Sequence, residues 1–225
     1  MKIITETALR DRYKNDKFES FVLDKEERLT PAAAQFLSDR RIKIRENSKS
    51  RDRSKPEHYT HLRGNALVLK SHPVIKFRGQ LDLLEANFIT CINQVISSGY
   101  QEMADELNAI FLYLQAIMRA EVRNQPLPFI EFSGWSEADV REYSHYPEKY
   151  FGVKHIVPDP KYGALYGEVN KLRTMIRQLE IAAVEAFCGE GEDQCERLDI
   201  SLALNRLSSL VYIIVCKYIG GHYKV

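Results

Sequence analysis

Arg173, Arg177 and Glu180, spaced four and then three residues apart, carry the clearest chemistry in this chain of 225 residues. At helical spacing they fall on one line, rotated about 100° from the apolar line of Leu172, Ile176 and Leu179. Two guanidiniums on one face can grip a triphosphate bidentately, and a carboxylate beside them can orient one of them or help to hold a metal. The same spacing suits a surface salt bridge between Arg177 and Glu180, so spacing alone does not separate a site from a solvated face. Asn205 and Ser208 stand in the same way one step round from Leu204 and Leu207. An Asn inside a helix is locally unfavourable and calls for a partner, either a neighbouring helix or a ligand. Asp82 and Glu85 head a line that continues through Ile89, Ile92 and Ile96, and Asp82 calls for a cation. Ahead of them, Thr60, Arg63 and Gly64 make a short donor-bearing segment, and Lys70 follows the apolar triplet Leu67 to Leu69. Such a segment can cradle phosphates or be an ordinary surface turn, and neither GxxxxGK[ST] nor GxGxxG is present.

Other chemistries find less support. The six histidines form no HExxH, no cysteine lies at a familiar ligand spacing from them, and there is no GxSxG. Trp135 and the run Tyr143, Tyr146, Tyr150 and Phe151 suit either the packed end of a bundle or an aromatic wall against a flat cofactor.

Four long stretches with apolar residues every three and four positions must carry these side chains. The first holds Phe77, Leu81, Leu84, Phe88, Cys91 and Val95 and stops at Ser98 and Gly99; the second holds Ala104, Leu107, Phe111, Leu114 and Met118. The third, from Leu165 to Ala183, follows the breaker Pro158-Asp-Pro, and the fourth, from Ile200 to Tyr218, stops at Gly220 and Gly221. A shorter helix starts at Ser136, where Asp139 completes a capping box. The pattern predicts an all-α fold, a four- to five-helix bundle with a small N-terminal α/β appendage. In the appendage, Thr30 and Pro31 start a helix and Ile42 to Ile44 form a short strand. The expected division is residues 1–45 as the small unit, 46–76 as a linker with the phosphate-loop segment, and 77–225 as the bundle. The basic stretch from Arg45 to Lys55 reads as a solvated linker, and no internal repeat is visible.

With 32 Lys plus Arg against 31 Asp plus Glu, the chain has no global basic field, so no nucleic-acid partner is expected and any anion site is local. The four cysteines show no CxxC, the first residues lack the apolar core of a secretory signal, and no apolar run approaches a membrane span. These features predict a reduced, soluble, cytoplasmic protein with no membrane partner.

Taken together, these residues resemble the ATP:cob(I)alamin adenosyltransferases, nearest to the ethanolamine-utilization type and more distantly the PduO type. The resemblance spans nearly the whole chain. It rests on the segments Ile4 to Arg10, Leu29 to Leu37, Thr60 to Leu62, Lys70 to Pro73, Phe77 to Asp82, Ile117 to Ala120, His155 to Pro158 and Leu172 to Thr174. The most specific is Leu-Asn-Arg-Leu-Ser-Ser from Leu204 to Ser209. The resemblance implies transfer of the 5′-deoxyadenosyl group of ATP to cob(I)alamin, with ATP held between subunits, Mg²⁺ on the triphosphate, and a flavoprotein-type reductant supplying the electron. It implies that Arg173 bridges to Asp82, that Arg177 contacts the phosphates with Glu180 completing the set, and that Asn205 and Lys70 touch ATP. Thr60, Arg63 and Gly64 stand where the glycine-rich phosphate loop of the PduO type would be. His155 stands where that type carries a phenylalanine under cobalamin, with Tyr150 and Phe151 as further cobalamin contacts. The cysteine-rich metal motif of many ethanolamine-type members is absent between Asn47 and Tyr59, so no protein-held metal is expected. A homo-oligomer follows, with a trimer expected before a dimer, and association with a bacterial microcompartment is a further expectation. The competing reading is a noncatalytic helical-bundle adaptor or cobalamin carrier.

Overall fold

The computed structural model describes residues 2–24, 27–46, 55–129, 131–189 and 194–225. They fall into two compact units, Met1–Glu57 and His58–Val225. Most of the linker stretch discussed above, residues 47–54, lies outside the described residues.

The first unit contains an arrangement the sequence conceals. A strand β1 (Lys2–Ile4), a helix α1 (Glu6–Asn15) and a strand β2 (Ser20–Leu23) are followed by β3 (Glu27–Leu29), α2 (Pro31–Asp39) and β4 (Lys43–Glu46). Equivalent strands pair in parallel, β1 with β3 and β2 with β4. Each helix starts on a threonine whose hydroxyl accepts a backbone N–H three residues on, Thr5 from Ala8 and Thr30 from Ala33. The unit is therefore a repeated β-α-β element, which corrects the expectation of no internal repeat. The two halves share little beyond the cap and the apolar rhythm, which hid the repeat from a reading by residue type. Leu9, Phe21, Ala33, Phe36, Leu37 and Ile42 form its core, and the Arg40 guanidinium lies over the Phe36 ring at 4.0 Å.

The second unit opens with an antiparallel hairpin, β5 (Tyr59–His61) and β6 (Leu67–Leu69). Four long helices follow: α3 (Pro73–Ser97), α4 (Gln101–Arg123), α7 (Gly163–Phe187) and α8 (Leu198–Ile219). Between α4 and α7 lie α5 (Glu137–His145) and α6 (Pro147–Phe151). The bundle has the predicted all-α architecture. Its seams follow the apolar periods: α3 buries Phe77, Leu81, Leu84, Phe88, Cys91 and Val95, and α7 buries Val169, Leu172, Ile176, Leu179 and Ala183. On α4 the seam is centred on Met103, Leu107, Ile110, Leu114 and Ile117, and Phe111 and Met118 are only half-buried.

Helix ends are fixed by local chemistry. Ser136 and Asp139 complete the predicted capping box of α5, and Asn124 closes α4 in the left-handed conformation at φ 53°. Packing runs round a square: α3 against α4 and α7, α7 against α8, and α8 against α4. The Phe77 and Phe187 rings meet edge-to-face at 5.2 Å, so the start of α3 and the end of α7 share one end of the bundle.

Two expectations need correction. Cys188 and Cys195 are joined in a disulfide rather than reduced, while Cys91 and Cys216 are free and buried. A separation of seven residues matches no familiar pairing; an antiparallel bridge between the two residues brings their Cα atoms to 3.9 Å. The second concerns α8, which is by length and composition apolar enough to cross a membrane, with a mean hydropathy of 1.5 over its best window. Half of that window is buried in the bundle, as befits a core helix packed against α4, α5 and α7.

Candidate functional site

Helices α7 and α8 run antiparallel and set two rows of polar side chains facing each other along one groove. Glu180 meets Asn205, Arg177 stands opposite Ser208, and Arg173 meets Tyr212, each pair one helical step from the last. The Asn205 amide donates to Glu180 Oε1 at 3.0 Å, and the Arg173 guanidinium lies 5.9 Å from the Tyr212 ring centre. Both helices turn their apolar seams inward, so burial of Leu172, Ile176, Leu179, Leu204 and Leu207 fixes where these polar rows emerge.

A cavity of about 300 Å³ opens on the groove, lined by Ser144, His145, His155, Arg173, Arg177, Ser208, Ser209 and Tyr212. Two guanidiniums in one small cavity, with no acid among its lining residues, give it a positive character suited to an anion. Ser208 and Ser209 both donate to the Asn205 carbonyl oxygen, at 2.9 and 3.4 Å, leaving their oxygens as acceptors. Tyr212 ties the segment after α6 to α8: its hydroxyl accepts from the Ile156 amide at 3.2 Å and lies 3.3 Å from His155 Nδ1. The His155 and Tyr212 rings are nearly parallel, with centroids 6.4 Å apart. Burial pushes the Tyr212 phenol above its ordinary value, so it stays a neutral phenol at physiological pH.

Not every expected site residue joins this group within one chain. Arg173 Nε donates to Asn170 Oδ1 at 2.9 Å, and no bridge to Asp82 forms within the chain. Asp82 is exposed on α3 without a hydrogen bond or ion pair among the described residues. Beside it Glu85 has its carboxyl raised by burial and by Asp82, partly offset by Arg119 of α4, and its Oε1 is buried without a hydrogen bond. Both carboxylates thus sit on the α4 side of α3, and Arg173 faces α8.

The phosphate-loop residues are also elsewhere. Thr60 is in β5, Arg63 and Gly64 form the hairpin turn with Gly64 at φ 52°, and Lys70 is exposed just after β6. The hairpin is pinned to the starting end of α3 by Glu121, a fully buried carboxylate on α4. Arg78 donates to both Glu121 oxygens, at 2.6 and 3.2 Å, and to the Leu62 carbonyl at 3.1 Å; Arg63 reaches Glu121 at 3.5 Å. Arg177 lies ten residues before Phe187, roughly 15 Å down the bundle from that end, and on a different pair of helices.

Tyr150 and Phe151 are not among the residues lining the cavity. The Tyr150 ring packs on Tyr143 at 4.3 Å and its hydroxyl donates to Glu142, while Phe151 packs against the core and the His222 ring. Among the described residues no three His, Cys, Asp or Glu side chains come together as a metal-ligand set.

Two groups here were not singled out in the sequence. Tyr212 continues the line of Asn205 and Ser208 and was accessible to reading by spacing. Arg197 was not: buried before α8, it donates to Asp199 through Nε and Nη2, each at 3.0 Å, to Gln125 O at 3.1 Å and to Ala120 O at 3.4 Å. It thereby satisfies carbonyls at the end of α4 and joins that end to the start of α8.

The family model for cobalamin adenosyltransferase matches residues 51–218, and the model for the corrinoid adenosyltransferase EutT N-terminal domain matches residues 3–50. The chain belongs to the cobalamin adenosyltransferase family. It is similar to the corrinoid adenosyltransferase EutT of Salmonella typhimurium (strain LT2), 28% identical over 254 residues, covering 97% of this chain and 93% of the relative. The protein of that name from Escherichia coli (strain K12) is 28% identical over 246 residues, covering 94% and 90%. No solved structure gives a significant match.

Proposed function

We propose that the chain is a corrinoid adenosyltransferase that moves the 5′-deoxyadenosyl group of ATP to cob(I)alamin. The nucleophilic cobalt attacks the ribose 5′-carbon; the cobalt–carbon bond forms, the carbon–oxygen bond breaks, and triphosphate leaves. The observation that carries the reading is the pairing of two guanidiniums, Arg173 and Arg177, in one cavity on the α7/α8 groove. Charge develops on the leaving triphosphate, and fixed guanidiniums stabilise it without reorganisation. The cation that accompanies it is Mg²⁺, entering with the nucleotide.

The separation of the remaining groups supports a site shared between two copies of the chain. Asp82, Lys70 and the hairpin belong to the α3/α4 side, and Arg173, Arg177 and Asn205 belong to the α7/α8 side. A cavity of about 300 Å³ is at the lower limit for a small ligand and far too small for a corrinoid together with ATP. On the helical line of Asp82, α3 exposes Ile89 and, further along, Ile96, apolar area suited to a subunit contact. In the assembled site Asp82 of one copy meets Arg173 of the next, Lys70, Thr60, Arg63 and Gly64 supply phosphate donors, and His155, Tyr150 and Phe151 face cobalamin. Arg63 must first let go of Glu121, which Arg78 continues to hold. A head-to-tail contact of this kind closes as a ring, a trimer before a dimer. The expected setting is ethanolamine utilization in the cytoplasm, next to a microcompartment, with electrons from a flavoprotein-type reductant.

The test is Arg177→Ala. Its thermal unfolding should match the parent, because Arg177 is exposed, while ATP-dependent formation of adenosylcobalamin falls below detection. Full activity in the variant would remove Arg177 from the site, and inactivity of the parent chain with ATP and cob(I)alamin would favour a noncatalytic cobalamin carrier.

A further inference from the structure

Glu137, Arg206, Asn205 and Glu180 form an unbroken hydrogen-bonded chain across three helices. Arg206 on α8 donates through Nε to Glu137 Oε1 on α5 at 2.9 Å and through Nη1 to Asn205 Oδ1 at 2.8 Å. Asn205 Nδ2 in turn donates to Glu180 Oε1 on α7 at 3.0 Å. A guanidinium only donates and a carboxylate only accepts, so a single orientation of the Asn205 amide satisfies both neighbours. Turning it over would set its NH₂ against Arg206 and its oxygen against Glu180, replacing two hydrogen bonds by two repulsive contacts. One amide N–H is then left over, on a bearing the protein has fixed.

Glu137 is well placed to anchor this chain. It is the first residue of α5, whose capping box holds that turn, and a negative charge there is favoured by the helix dipole. Arg206 is held close, with its side chain only 14% exposed, whereas Glu137 is 47% exposed. An ion pair so open to water adds little stability. Its effect is directional: without Glu137 the guanidinium of Arg206 is free to leave Asn205, and the amide regains both orientations. None of Glu137, Arg206 and Asn205 is among the residues lining the cavity; Asn205 stands one helical step along the groove from Ser208, which does line it.

We propose that Glu137 is a positioning residue for the nucleotide: acting through Arg206, it locks the Asn205 carboxamide so that its remaining N–H is presented to an acceptor atom of ATP. The inference rests on the reading of Asn205 as a nucleotide contact. Equilibrium ATP binding and steady-state kinetics on the full chain test it with Glu137→Ala, Glu137→Gln, Asn205→Ala and the double variant Glu137→Ala/Asn205→Ala. Glu137→Ala is expected to raise both Kd and KM for ATP about tenfold, the value of one directed hydrogen bond, and to leave KM for cobalamin unchanged. Glu137→Gln keeps an acceptor oxygen and should regain most of the loss. In the Asn205→Ala background, Glu137→Ala should have no further effect, because the group it orients is gone. The proposal alone is overturned if Asn205→Ala weakens ATP binding while Glu137→Ala does not, or if the two losses simply multiply. If Asn205→Ala binds ATP as the parent does, the reading of Asn205 falls and the proposal with it.

Discussion

A site divided between copies predicts that two crippled chains repair each other. Asp82→Ala removes the carboxylate from the α3 face and Arg173→Ala removes the guanidinium from the α7 groove; within one chain these groups do not meet, since Arg173 is held by Asn170. If they pair across the subunit contact, losing either costs about 2.7 kcal/mol of transition-state stabilisation, roughly a hundredfold in kcat/KM, a usual size for a close interfacial charge pair. In a head-to-tail ring of three that contains both variants, one contact of the three joins an intact Asp82 to an intact Arg173, so activity of the mixed oligomers should return to about a third of the parent's. That is roughly 30-fold above either variant alone. The assay is adenosylcobalamin formation after co-expression of two differently tagged chains and tandem purification of mixed oligomers, with each variant alone as reference. Mixed oligomers no more active than the average of the two variants would refute a shared Asp82–Arg173 pair.

Further consequences follow from groups away from the groove. Arg197→Met strands Asp199 and two carbonyls at the end of α4, and should cost about 3 kcal/mol, lowering Tm by roughly 10 °C in differential scanning calorimetry. Burial raises the Asp199 carboxyl, but its bonds to Arg197 and to the Leu127 amide outweigh that and hold it below its ordinary value. Its contribution is therefore complete above the unfolded carboxylate range and lost as pH falls through the depressed value, so the gap between parent and Arg197→Met should narrow in acid. Glu85 has the opposite sign: its raised carboxyl makes ionisation costly in the isolated chain. Glu85→Gln should accordingly raise the monomer's denaturant midpoint at pH 7, the gain fading as pH drops through the window between the raised and ordinary values. Reducing the Cys188–Cys195 disulfide, which closes a loop of a few residues, should cost about 2–3 kcal/mol, read as a lower Tm with added dithiothreitol.

What was legible in the sequence was what local periodicity controls. The seams of α3, α7 and α8, the Ser136 capping box and the Thr30-Pro31 start are written in residues three and four apart, and the same rule found the Arg173, Arg177, Glu180 and Asn205, Ser208 rows. Contacts between residues far apart in the chain left no such trace. Glu121 holding Arg78 and the hairpin, Arg197 closing the end of α4, and Glu137 reaching Arg206 all depend on which helix is whose neighbour. The Cys188–Cys195 bridge was illegible for a different reason: it is local, but a separation of seven residues fits many unpaired cysteines. Lys70 and Asp82 were legible as residue types, but the chain sets them on another face from Arg177, and the proposed shared site needs a second copy to bring them in.

The most direct test of the account is the absorbance spectrum of the full chain incubated with ATP, Mg²⁺ and chemically reduced cob(I)alamin, with triphosphate measured in the same sample. The account predicts a light-sensitive alkylcobalamin spectrum and one triphosphate released per corrinoid converted. No alkylcobalamin, or cleavage of ATP to ADP and phosphate instead, would contradict it.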